Sequence, residues 1–264
     1  HLGVMGAALG TAVAYICTSL PITWFATCRD KILALKWDRA PFHWVWNYVM
    51  KAVKISLPIA VQSILMSGAQ IISTIIVAPL GNVAIAAHSF AITAESLCYM
   101  PGYGIGDAAT TLVGQTFGAG RSALCRSFAR LTVGLGMSVM AAMGAIMYVF
   151  APEMIALLSP VADIQALGAS VLRIEAFAEP FFAASIVTYS ICVGAGDTLR
   201  PAIMNLASMW CVRLTLAAYL ARDYGLRGVW MAMAVELTFR GLLFLYRLFR
   251  GNWLKALEEK APAA

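Results

Sequence analysis

The residues best suited to chemistry in this chain are carboxylates set where carboxylates are expensive. Glu95 and Asp107 lie in the stretch AITAESLCYMPGYGIGDAATTLVGQTFGAG, residues 91–120, which is otherwise apolar enough to cross a bilayer. An ionisable side chain inside a membrane span is costly and marks an ion or substrate path. A carboxyl group withdrawn from water favours its protonated form, so such a group can load and release a proton. No basic residue stands one turn away from either in sequence. Between them come Pro101, Gly102, Gly104 and Gly106, a composition that predicts a broken helix. A break in a span is tolerated where neighbours or water satisfy the freed backbone, and ion-coupled transporters build their sites on such discontinuous helices.

Five further charges fall inside apolar runs. Glu175 and Glu179 are four apart and share a helix face, and two carboxylates held close tend to retain a proton. If their span ends at Gly194, Arg173 and Glu175 stand near the far interface and Glu179 one turn inside it. Glu236 and Arg240, also four apart, can pair on one face, as a structural lock or as part of a site. Arg213 lies in mid-span and needs an acceptor, Glu236 or Asp107. A polar stripe, Gln62, Ser63, Ser67, Gln70, Ser73 and Thr74, follows helical spacing opposite a set of isoleucines. It serves either as interhelical hydrogen-bonding glue or as the wall of a wet cavity.

Other chemistries are disfavoured. There is no HExxH, GxSxG or Walker-type loop, and the histidines (His1, His43, His88) are scattered. The six cysteines form no CxxC pair, which points to no zinc and no disulfide framework. The expectation is therefore a protein that is not an enzyme, with no cofactor, no metal and no nucleic-acid partner.

The elements that must position these residues are membrane helices. The chain is 61% hydrophobic and only 12% charged, against about 25% charged in soluble domains. Mean hydropathy is +0.79. Seven apolar spans are expected, at residues 2–27, 55–80, 82–120, 124–150, 162–193, 202–221 and 229–249. Residues 29–54 form a basic connection whose second half, from Pro41 to Tyr48, reads as an aromatic segment lying in the interface. Residues 251–264 form a polar tail. With the basic loop inside, Arg121, Arg126, Arg130, Arg247 and Arg250 fall on the same side, and only Arg222 and Arg227 dissent. This puts the N-terminus outside and the C-terminus inside. The chain starts at His1 and is apolar almost at once, which suggests the C-terminal part of a longer protein.

Four segments carry a family resemblance: LVGQTFGAGR (112–121), ESLCYMPGYGIG (95–106), GAGDTLRP (194–201) and LRGVWMAMAVELTFRGLLF (226–244). In order and spacing they resemble the multidrug and toxic compound extrusion (MATE) transporters. The resemblance implies an all-α membrane protein in which residues 1–28 are the last helix of a preceding lobe. Residues 29–54 would be the cytoplasmic linker, and residues 55–250 one six-helix lobe of a two-lobe antiporter. It implies export of lipophilic organic cations in exchange for protons or sodium, in the bacterial inner membrane, with the other lobe and the bilayer as partners. One sodium-coupled branch carries acidic residues on the first and fourth helices of this lobe. The corresponding positions here are Met66 and Ala183, which cannot bind a cation by charge. Coupling would then rest on the preceding lobe, or on Glu95, Asp107 or Glu179 here, with Gln62, Gln70, Arg213 and Glu236 in or near the cavity. The alternatives are a lipid-linked saccharide flippase of the same superfamily, whose cavity would be lined with Arg and Lys, and a non-transporting scaffold.

Overall fold

The computed structural model describes residues 3–29, 45–250 and 253. Most of the basic connection, including His43, and the tail beyond residue 250 apart from Trp253 lie outside the described residues. The chain forms two units, residues 1–50 and 51–264. Among the described residues it forms helices and no strand.

The first unit holds α1 (Gly3–Trp24), which continues through a π turn, Phe25–Arg29. None of its described side chains is buried, and Leu9, Val13, Ile16 and Leu20 are all exposed. An apolar helix bare on every side requires lipid or another protein surface.

Helix α2 spans Trp46–Val77 and closes in a short 3-10 turn, Ala78–Leu80. It begins at Trp46 rather than at residue 55, so the end of the expected interfacial segment is continuous with this helix. Gly81 then takes φ +97° and turns the chain into α3, Asn82–Gly118. Helix α4 (Ser122–Leu158) follows, then α5 (Ala162–Glu175) and α6 (Glu179–Gly194), which meet at a bend of 59°. Next comes α7 (Leu199–Ala207), whose last turn passes into a π segment, Ser208–Arg213. Helix α8 runs Leu214–Arg250 with a break at Gly225 (φ +58°, ψ −137°).

That break is a reversal. Ser208 bonds Glu236, and Arg213 bonds Met233. As residue numbers rise on one side of Gly225 they fall on the other, which is the pairing of an antiparallel hairpin. The 52-residue stretch Leu199–Arg250 therefore crosses twice, since about 20 residues fill a bilayer core. With α1, α2, α3, α4 and the bent α5–α6 pair, this makes seven spans.

Helix α3 is the central element, packed against α4, α5 and α6. Its buried positions include Ala84, Ala87, Ala91, Ala94, Cys98, Gly102, Gly106, Ala109 and Val113, a seam of mostly small residues every three or four positions, with His88, Glu95 and Thr116 buried beside it. Small residues let helix backbones approach closely in a membrane. The predicted break at Pro101–Gly106 is not formed: the helix is continuous from Asn82 to Gly118. The glycines serve contact instead. A Cβ on Gly102 would fall 2.3 Å from Met140 Sδ, and one on Gly106 would fall 2.7 Å from Ser190 Oγ. Thr110 then donates across to the Ser190 carbonyl at 3.0 Å.

The turn after α6 is held by an ion pair and not by a side-chain cap. Neither Asp197 nor Thr198 makes a side-chain cap on α7. Asp197 instead forms an ion pair with Arg247 near the end of α8, which ties two helix ends together.

Candidate functional site

The α3 seam separates the two carboxylates that the sequence puts on one helix. Glu95 follows Ala94 on the seam and points into the lobe, only 3% exposed. Asp107 is twelve residues on, about 120° further round at 100° per residue. It falls off the seam and is exposed. The expected pair is thus two separate places.

Asp107 lines an open groove of about 380 Å³. Gln62 and Met66 of α2, Tyr103 of α3, Tyr189 of α6 and Arg240 of α8 also face it. Gln62 accepts a hydrogen bond from the Tyr189 hydroxyl at 2.9 Å, joining α2 to α6. Gln70, two turns further along α2, is exposed and does not line the groove. Of the two positions that correspond to the acidic residues of the sodium-coupled branch, Met66 faces this groove, and Ala183 is wholly buried against Met140 and Ile186.

Behind the groove lies a buried charged cluster. Glu175 ends α5 and Glu179 begins α6, 0% and 1% exposed. Glu175 does not sit wet near an interface, as its sequence position suggests. The bend at 176–178 turns it inward. Neither carboxyl group has a hydrogen-bond partner on either oxygen. Both lie within electrostatic range of Glu95. Arg213 reaches this cluster from the π segment, within range of Glu95 and Glu175. A π segment shifts helix register locally, and such bulges recur at functional sites. Here it turns both Ser208 and Arg213 inward.

Arg213 does not take Glu236 or Asp107 as its acceptor. Its Nη2 meets the thioether of Met233, and its Nε is unpartnered. Glu236, fully buried, is occupied elsewhere: its Oε1 accepts from Ser208 at 2.5 Å and lies 3.2 Å from Arg240 Nε. That Arg240 contact is an ion pair without good N–H···O alignment, so Nε remains unsatisfied by geometry. The Arg240 guanidinium also sits 5.6 Å from the Phe182 ring centre, a cation–π distance. Arg240 thus joins the groove to the interior, because Phe182 and Arg240 line the first and Glu236 belongs to the second.

Three carboxyl groups, from α3, α5 and α6, lie in a water-poor interior, and the Arg213 guanidinium is within range of two of them, Glu95 and Glu175. An unpaired charge there is expensive, so the cluster gains from taking up positive charge. The groove beside it is polar, open and fringed by aromatic rings. Glu175 was readable only as a neighbour of Glu179. Ser208 and Tyr189 give no sequence signal, because a hydroxyl in a span is ordinary helix glue.

This is a multi-span helical membrane protein with an ionisable interior beside an open polar groove. The chain belongs to the MatE family, whose family model matches residues 58–219; it is a family of membrane transporters. Among its relatives is a probable multidrug resistance protein NorM of Thermotoga maritima, 27% identical over 257 residues, covering 97% of this chain and 55% of the relative. The uncharacterized transporter YisQ of Bacillus subtilis is 25% identical over 260 residues, covering 96% and 56%. An outward-facing multidrug resistance MATE transporter superimposes with a TM-score of 0.84 at 21% identity, over 98% of this chain and 58% of that one. An inward-facing one gives a TM-score of 0.73 at 21% identity, over 98% and 60%. The chain therefore spans a little over half the length of the relatives it matches.

Proposed function

We propose that residues 55–250 are one six-helix lobe of a secondary antiporter that exports lipophilic organic cations in exchange for protons or sodium. Residues 1–28 would be the last helix of a preceding lobe, residues 29–54 the cytoplasmic linker and residues 251–264 a cytoplasmic tail, in a bacterial inner membrane. The observation that carries this reading is the pairing of charges around the groove. Arg240 is already matched by Glu236, whereas Asp107 is exposed and in no ion pair among the described residues. The uncompensated charge facing the groove is negative, which suits a cation. A carrier of anionic lipid-linked saccharides would need the reverse.

Ion coupling falls to the buried cluster of Glu95, Glu175 and Glu179 opposite Arg213. A proton or cation entering it relieves the negative charge that Arg213 alone leaves unmatched. The bend between Glu175 and Glu179 gives that relief a mechanical outlet, since like charges beside a joint push its two arms apart. The names of the relatives, multidrug resistance proteins, support the substrate class.

The test is uptake of ethidium into everted vesicles carrying the full-length protein, energised by a proton or sodium gradient. Dye accumulates on energisation and leaves when the gradient is collapsed. Folded protein that moves no dye under either gradient overturns the reading.

A further inference from the structure

Two further depressions among the described residues lie along the seam between α4 and α5. The first, about 360 Å³, is at the helix ends, where Pro152 of α4 meets Ala162, Gln165, Ser170 and Arg173 of α5. The second, about 470 Å³, is deeper along the same seam, between Ala141, Ala145 and Tyr148 of α4 and Phe177 and Pro180 at the α5–α6 joint. The outer one carries three polar side chains, Gln165, Ser170 and Arg173, among alanines and a proline. The inner one is lined almost wholly by apolar carbon.

Arg173 links the two. Its Nε donates to the Tyr148 carbonyl at 3.2 Å, and its guanidinium lies 5.7 Å from the Tyr148 ring centre. Tyr148 in turn packs edge-on against Phe177 at 5.5 Å. A second arginine reaches the rim, where Arg227 Nε donates to Ser170 Oγ at 3.1 Å. Neither arginine is among the ion pairs of the described residues, although Asp163 stands in the first turn of α5. Both are exposed.

We propose that this seam binds one anionic phospholipid, with its headgroup phosphate between Arg173 and Arg227 and an acyl chain in the groove bounded by Ala145, Tyr148 and Phe177. The order of polarity along the seam is that of a lipid, basic at Arg173 and Arg227 and apolar beyond Tyr148. The depth matches as well. From Tyr148, where Arg173 sits, to Ala141 along α4 is about 10 Å at 1.5 Å per residue, within one leaflet of a hydrocarbon core about 30 Å thick. Arginine forks suit phosphate oxygens, and the two guanidinium groups select a net anionic headgroup over a zwitterionic one. The seam ends at the α5–α6 joint, so the lipid lies against the bend that carries Glu175 and Glu179. The proposal stands on this geometry alone and does not depend on the transported substrate.

The experiment is native mass spectrometry of the full-length protein, with retained phosphatidylglycerol compared with phosphatidylcholine after exposure to vesicles holding equal amounts of each. The wild type retains phosphatidylglycerol in excess. Arg173→Gln reduces that excess about tenfold, on the scale of one lost charge-assisted contact. Ala145→Trp, which fills the inner groove from an exposed position, does the same. Arg222→Gln, an exposed arginine that lines neither depression, leaves the excess unchanged. Melting temperatures of the lipid-free variants confirm that each is folded. Equal retention of the two lipids overturns the proposal. So does wild-type retention by folded Arg173→Gln or Ala145→Trp, an equal loss in Arg222→Gln, or displacement of the lipid by inorganic phosphate alone.

Discussion

Glu175 and Glu179 stand on either side of a three-residue joint, 176–178, at which the chain turns by 59° from α5 into α6. Both are buried, and all four of their carboxylate oxygens lack a hydrogen-bond partner. A carboxylate kept for stability would be paired. Glutamine has nearly the same shape without the charge, so Glu175→Gln and Glu179→Gln should leave the melting temperature unchanged or raise it. The same substitutions should lower gradient-driven dye efflux by about tenfold or more, the scale on which losing an ionisable coupling group acts. A thermal melt beside the efflux assay checks both halves. A fall in melting temperature with normal efflux would make these acids structural.

Glu236 and Arg240 should behave in the opposite way. Their contact is buried, with Ser208 donating to the same carboxylate. Removing one partner leaves the other charged and unpaired, which costs about 3–5 kcal/mol. Glu236→Leu should therefore unfold at markedly lower denaturant or temperature. The double variant Glu236→Leu/Arg240→Met should recover most of the loss, because replacing a whole buried pair by apolar groups is often neutral. A double-mutant cycle read by thermal unfolding measures the difference. An additive double variant would show that the two residues are not coupled.

These two pairs show what could be read from the sequence and what could not. The all-α membrane architecture and the seven spans follow from apolar runs punctuated by turn residues, and the i,i+4 spacing of Glu236 and Arg240 carries their contact directly. What failed was the reading of glycine. Pro101, Gly102, Gly104 and Gly106 look like a break, yet α3 runs straight through them. Glycine lowers helix propensity in water, but in a packed membrane lobe it is the residue that lets a neighbour come close. The partners of Arg213 were hidden for a different reason. They depend on the register shift of the π segment and on the reversal at Gly225, and both are tertiary features.

The glycine argument predicts a graded series. A Cβ at Gly241 would fall 2.3 Å from the Phe181 carbonyl oxygen, a backbone atom that cannot swing aside. Gly241→Ala should therefore destabilise by about 1–3 kcal/mol or more, the range for overpacking. Gly102→Ala meets only the end of the flexible Met140 side chain and should cost less. A Cβ at Gly104 meets nothing within 4 Å. Gly104→Ala should be neutral or slightly stabilising, because alanine is the better helix former by about 1 kcal/mol. Melting temperatures in one detergent rank the three. If Gly104→Ala were the most damaging, the glycines would be acting through backbone flexibility after all.

Asp107 supplies the sharpest test of how the work is divided between groove and interior. It is exposed, unpaired and on the groove wall, whereas Glu95 on the same helix is buried among other acids. Asp107→Asn removes the groove's uncompensated charge without disturbing packing, so the fold should be unaffected. Apparent affinity for a monovalent cationic dye should weaken about three- to tenfold, corresponding to roughly 0.7–1.4 kcal/mol for one partly solvated charge contact. Transport at saturating dye should be retained, because the ion-coupling cluster is intact. Glu95→Gln should do the reverse, sparing affinity and lowering the saturated rate. Dye efflux measured across a concentration series separates the two effects. If both variants shifted only the saturated rate, Asp107 would belong to coupling rather than to substrate binding, and its exposure on the groove would have to be read as a water path to Glu95.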